Sequence, residues 1–204
     1  MLPLWQVSAI WSFRKELMVV AMVFGIVLLL PVIAVIILTN AGLNIVSDKL
    51  ATINTTTNTV QILNPANGSV VTQIQGGMIW PIHGIITLEF GASDLPYQPA
   101  HTGIDIAAPV DTPVADFMDG TVIYAGEIFW GFGKHIIIDH GNNIQSLYAH
   151  LDKIYVYPGE KVRMGDILGA EGQTGWATGP HLHFQINVDG IPVNPRTFLN
   201  QTSP

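Results

Sequence analysis

Two histidines stand two positions apart in "TGPHLHFQI", Thr178 to Ile186. In an extended chain that spacing sends both imidazoles, His181 and His183, to the same face. A second stretch, "HTGIDIAAP", sets His101 four residues before Asp105. Its Gly103, β-branched residues and Pro109 favour extended backbone over helix, so this pair also shares a face. A third stretch, "SLYAHL", ends an alternating run on His150. Imidazole and carboxylate groups gathered in this way bind metal ions or move protons. The chain has no cysteine, which removes thiolate ligation and disulfides, so any metal must be held by His, Asp or Glu. Taken singly, each histidine is equally compatible with an ordinary hydrogen bond in a strand.

Strands must carry these groups. From Met78 onward, short apolar or alternating runs recur between Gly, Pro, Asn and Asp turn signals: "IITLEF", "GIDIAAP", "GTVIYAG", "KHIIIDHG", "QSLYAHL", "KIYVYPGEKV", "GDILGAEG" and "HLHFQINVDG". That pattern predicts an all-β, antiparallel domain over residues 78–200, long enough for one independent core, and no long amphipathic helix within it.

The N-terminal part has a different composition. Residues 17–39 read "LMVVAMVFGIVLLLPVIAVIILT" without a charge. As a helix this run is about 34 Å long, enough to cross a bilayer, with a kink expected at Pro31. It exceeds a usual signal-peptide core and no A-x-A-like site follows it, so an uncleaved transmembrane helix is expected rather than a cleaved leader. Arg14 and Lys15 precede the run, whereas Asp48 and Lys49 cancel after it. Residues 1–16 are therefore expected as a cytoplasmic tail, with Trp5, Trp11 and Phe13 near the headgroups, and everything after the helix as extracytoplasmic. Residues 40–77, rich in Asn, Thr and Gly, are expected as an extracytoplasmic linker with room for a short strand or two.

In chain order, His101-x-x-x-Asp105, Tyr148-Ala149-His150 and Gly179-Pro180-His181-Leu182-His183-Phe184 resemble the motifs of the lysostaphin-type (LytM-like) zinc metallopeptidases of peptidoglycan. The similarity runs from "WPIHGIITLEFG" at Trp80 to "NPRTFL" at Asn194 and takes in "DGTVIYAG", "IDHGNN" and "VRMGDILGAEGQTG". The resemblance implies an antiparallel β-sheet fold of the duplicated-hybrid-motif kind. It further implies one Zn2+ held by His101, Asp105 and His183, a catalytic pair in His150 and His181, and Tyr97 as an oxyanion or substrate contact. Two imidazoles and one carboxylate leave a fourth position for water. On that reading His183 faces the metal, His181 reaches the reacting water or substrate, and Leu182 and Phe184 point to the core. Gln185 stands where many relatives have Glu. His83, His135 and His140 fall outside the matching positions and are expected at turns or the surface. Trp130, Phe132 and Trp176, in "WGFGK" and "TGWATGPH", are expected on loops beside the cleft.

The implied function is a membrane-anchored zinc metalloendopeptidase that hydrolyses peptide bonds of peptidoglycan, in stem peptide or cross-bridge, during cell-wall remodelling or local wall opening. Its implied partners are peptidoglycan, the membrane through residues 17–39, and proteins of the envelope machinery. The alternative is a catalytically idle wall-binding or scaffold domain of an envelope-spanning assembly, as in relatives that activate other hydrolases. Those have typically lost metal ligands, and this chain keeps all of them. Nucleic acid is not an expected partner, because the net charge is −7 and no basic stripe occurs. Phosphate-loop chemistry has no support either, since GxxxxGK[ST] is absent.

Overall fold

A computed structural model describes residues 4–75, 78–93 and 100–199, with residues 4–14 described by backbone alone. Tyr97 and the side chains of Trp5, Trp11 and Phe13 lie outside the described residues. The chain divides into two compact units, Met1–Thr39 and Asn40–Pro204.

One helix, α1 (Leu4–Leu50), continues through Pro31 and extends eleven residues past Thr39, farther than the apolar run alone predicts. Between Lys15 and Thr39 its apolar side chains are largely exposed, as at Leu28 (58%) and Leu38 (71%). It is long and apolar enough to cross a membrane. From Asn40 onward the helix belongs to the second unit. Leu50 is buried in that unit's core, and Ser47 Oγ accepts the Asn194 N–H at 2.9 Å.

The linker expected over residues 40–77 is instead largely folded. After α1 come β1 (Ala51–Asn54), β2 (Thr59–Leu63) and β3 (Val70–Gln75), a three-stranded antiparallel sheet in that order. Ala51, Val60 and Ile62 are buried and join the main core. The asparagines that read as linker composition are turn residues. Asn54 Oδ1 accepts the Thr56 and Thr57 N–H groups, Asn64 Oδ1 that of Ala66, and Asn67 Oδ1 that of Ser69. Short Asx side chains close turns by mimicking a backbone carbonyl, so Asn-rich sequence here is hairpin chemistry.

The remaining strands are β4 (Ile85–Leu88), β5 (Ile104–Ala107), β6 (Pro113–Ala115), β7 (Gly120–Ile128), β8 (Gly133–Asp139), β9 (Ile144–Leu151), β10 (Lys153–Ile154), β11 (Lys161–Val162), β12 (Ile167–Ala170), β13 (Leu182–Val188) and β14 (Ile191–Val193). Eight of them form one sheet in the order β11-β7-β8-β9-β13-β5-β4, with β14 alongside β13, while β10, β12 and β6 form a small second sheet. Among the described residues every pairing between these strands is antiparallel, as the alternating runs predict, and an isolated parallel bridge joins Met78 to Leu199.

Alternation decides which side of the large sheet is core. In β13, Leu182, Phe184, Ile186 and Val188 are fully buried on one face, against Ile104 and Ile106 of β5 and Tyr148 of β9. The intervening His183 and Gln185 therefore stand on the other face. Of the three remaining histidines, His83 and His140 lie outside the strands as expected, whereas His135 does not. His83 is exposed, but His140 is buried between the Asp119 carbonyl (2.9 Å) and Ser146 Oγ (2.7 Å). His135 is buried on β8, stacked on Tyr124 at 4.5 Å between centroids. Both ring nitrogens of His140 and Nδ1 of His135, which faces the Gly133 carbonyl at 2.9 Å, thus have partners within the fold.

Candidate metal centre and cleft

Asp105 and His183 are direct cross-strand partners in the β5–β13 pair, so their side chains leave the same face side by side. His101 reaches them by a different route from the one expected. It precedes β5, with a bend at Thr102 and Gly103 between them, rather than lying on one straight strand. Gly103 permits that bend, because a Cβ there would come within 2.4 Å of the Phe184 carbonyl oxygen. The backbone is pinned by His101 N–H to the Ala92 carbonyl at 2.7 Å.

Three atoms converge as a result. His101 Nε2 lies 2.9 Å from His183 Nδ1, His183 Nδ1 lies 2.9 Å from Asp105 Oδ1, and His101 Nε2 lies 3.1 Å from Asp105 Oδ1. The outer ring nitrogens decide what these atoms offer. His101 Nδ1 faces the Glu89 carbonyl at 3.3 Å, and His183 Nε2 faces Gln185 Oε1 at 3.5 Å. Both partners are acceptors, so each imidazole carries its proton outward and turns a lone pair inward. Two imidazole nitrogens in that tautomer and a carboxylate oxygen form a donor set that fits a divalent cation. Burial alone would raise the Asp105 carboxyl, but the two imidazoles packed against it more than offset this and hold it well below the usual carboxylate range. Burial also lowers the His183 imidazole, which favours its neutral, ligating form.

Two further histidines flank the triangle. His181 Nε2 lies 3.7 Å from Asp105 Oδ2, and the His181 and His150 rings are 4.7 Å apart. His181 Nδ1 is held by the Gly179 carbonyl (2.9 Å) and His150 Nδ1 by that of Thr174 (2.8 Å), which fixes both rings and leaves each Nε2 on the opposite side. Burial pushes the His150 imidazole down to about 4, against the opposing pull of its bond to Thr174. It is therefore neutral, and able to accept a proton, across the neutral pH range.

These groups line an open cleft of about 590 Å³ with Thr102, Gly131, Phe132, Trp176, Ala177 and Thr178. The two loops expected beside the cleft do border it. They are locked together by Trp176 N–H to the Gly131 carbonyl (2.9 Å) and by close packing of Gly133 on Thr174. Phe132 lies over His183 at 5.6 Å between centroids, while Trp130 and Trp176 are exposed. Sequence reasoning gave no part to the carbonyls of Glu89 and Thr174 or to Thr102, and no motif marks a backbone acceptor. It located Gln185 but not its contact with His183.

Residues 99–195 match the model of peptidase family M23. Over 95 residues the chain is 45% identical to the DD-carboxypeptidase/endopeptidase Mpg of Neisseria meningitidis, covering 47% of this chain and 22% of that protein. Over 122 residues it is 37% identical to the murein hydrolase activator NlpD of Salmonella dublin, covering 60% of this chain and 31% of that one. The chain thus spans less than a third of the length of these curated relatives. The catalytic domain of the antimicrobial peptidase lysostaphin from Staphylococcus simulans superposes with a TM-score of 0.53 at 30% identity, over 56% of this chain and 91% of that domain.

Proposed function

The chain belongs to peptidase family M23, and from that premise we propose that it is a membrane-anchored zinc endopeptidase that hydrolyses peptide bonds of peptidoglycan. The observation that carries this reading is the inward-facing triangle of His101 Nε2, Asp105 Oδ1 and His183 Nδ1, with two more imidazoles beside it. A zinc ion held there would supply Lewis-acid polarisation of a scissile carbonyl and lower the pKa of a water to about 7. The chain's own residues do the remaining work. His150, neutral and fixed by Thr174, accepts the proton of the attacking water at Nε2. His181, fixed by Gly179, presents Nε2 to the carbonyl oxygen or to the leaving amine. Phe132 covers the His183 ring and limits water on that side.

In this proposal residues 17–39 cross the membrane with residues 1–16 in the cytoplasm, and the unit from Asn40 works outside it on wall peptides. The similarity to the activator NlpD motivates a second reading, an idle scaffold domain in an envelope assembly. The complete set of five side chains argues against it. The test is zinc content together with hydrolysis of purified peptidoglycan by the full chain in detergent, beside His183→Ala. Stoichiometric zinc, with cleavage lost in the variant, is expected. Zinc binding without cleavage of any wall preparation would move the assignment to the scaffold.

A further inference from the structure

The outer face of His183 is closed by a chain of neutral groups. Gln185 is 7% exposed and follows His183 by two positions on the same face of β13. Its Oε1 lies 3.5 Å from His183 Nε2 and accepts the Thr102 hydroxyl at 2.7 Å, while its Nε2 donates to Asn187 Oδ1 at 2.8 Å. The amide is therefore held from both ends: Thr102 fixes its oxygen and Asn187 its nitrogen. With the amide so oriented, only an oxygen is available to His183 Nε2, and this selects the imidazole tautomer that leaves Nδ1 free. Thr102 also follows His101 directly in sequence, so one hydrogen bond ties the backbone of one candidate ligand to the ring orientation of another.

We propose that Gln185, braced by Thr102, is a positioning residue that sets both the geometry and the strength of His183 as a metal ligand. This inference rests on the metal-site reading above. A second-sphere acceptor raises the basicity of a ligating imidazole, and a carboxylate does so more than an amide. The neutral amide thus holds the site below the affinity that the same geometry would give with a carboxylate. Such outer-sphere groups change metal affinity by about 10- to 100-fold.

The experiment measures zinc affinity by chelator competition on the full chain in detergent, with the visible spectrum of the Co2+-loaded protein as a second readout. Gln185→Glu is expected to tighten zinc by about tenfold, and Gln185→Met to weaken it by about 10- to 100-fold. Thr102→Val, which frees the amide, should weaken it by less and shift the Co2+ bands. Asn187→Asp is the control for charge alone, since it adds a carboxylate that touches Gln185 but not His183. It should change affinity by less than Gln185→Glu does. Equal zinc affinity in wild type and Gln185→Met overturns the inference, as does an Asn187→Asp effect equal to that of Gln185→Glu. A wild-type chain that binds no zinc would instead overturn the metal-site reading on which this one stands. Loss of thermal stability with unchanged zinc affinity in both Gln185→Met and Thr102→Val would reduce the residues to structural ones.

Discussion

Ala149 lies directly opposite His183 in the β9–β13 pair, and the residue that follows Ala149, His150, has a left-handed backbone with φ 63°. Strict alternation would put His150 beside Tyr148 in the core. Instead Ala149 and His150 together oppose His135 of β8, where the register slips between Lys134 and Ile136. This β-bulge turns His150 into the cleft and returns Leu151 to the core at 0% exposure. The conformation is held by His150 N–H to the Phe132 carbonyl (2.9 Å) and by its ring bond to Thr174.

Left-handed backbone costs a residue with a Cβ about 1 kcal/mol, a penalty that glycine escapes. His150→Ala and His150→Gly should both lower kcat by about 10²- to 10⁴-fold. By denaturant titration, His150→Gly should be the more stable of the two by about 1 kcal/mol, the reverse of the usual ranking in a strand. Equal stability would show that the bulge carries no strain.

The loop contact behind His150 is equally exposed to test. A Cβ on Gly175 would lie 2.3 Å from the Gly131 carbonyl oxygen and 2.4 Å from Gly133 N, at a φ of 71°. Gly175→Ala should therefore part the loops and displace Thr174 from His150. Stability should fall by about 1–3 kcal/mol, and kcat should fall more than KM rises. A variant with unchanged kcat would separate loop packing from the His150–His181 pair.

Beneath the sheet, burial raises the Asp116 carboxyl to about 7, against hydrogen bonds from Tyr148 and the backbone. The folded value lies above the unfolded one near 4, so the fold favours the protonated form. Its contribution is complete below about pH 4 and is lost as pH rises through 7. The stability difference between wild type and Asp116→Asn should therefore shift towards the variant between pH 4.5 and 7.5, by at most about 1.4 kcal/mol per pH unit. A pH-independent difference from denaturation at the two ends would contradict this. The comparison has to be with the variant, because burial lowers His150 and His140 and gives wild type an opposing slope.

Trimming tests the folded status of residues 40–75. A chain beginning at residue 76 loses Leu50, Ala51, Val60 and Ile62 from the core and the Ser47–Asn194 bond. Each large aliphatic removed withdraws about 1.5–3 kcal/mol of burial. Residues 76–204 should melt well below residues 40–204 by calorimetry, whereas equal melting temperatures would mean that the small sheet is an ornament.

The parts of the site that follow strand periodicity were legible in the sequence. The facing of His181 and His183, the burial of Leu182 and Phe184, and the nearness of His101 to Asp105 all came from spacing and motif. What the sequence hid was set by backbone rather than by residue type. The bulge at His150 overrides alternation, the bend at Gly103 replaces a straight strand, and the carbonyls of Glu89 and Thr174 have no signature. Composition misled over residues 40–77, where asparagine served turns, and no motif signalled the burial of His135, stacked on Tyr124.

The folding of residues 40–75 also removes slack from the chain. A coil of that length would have a root-mean-square span of about 35 Å. These residues are instead spent on the end of a helix and three strands whose Ala51, Val60 and Ile62 sit in the core, so the stretch is part of the folded unit rather than a tether for it.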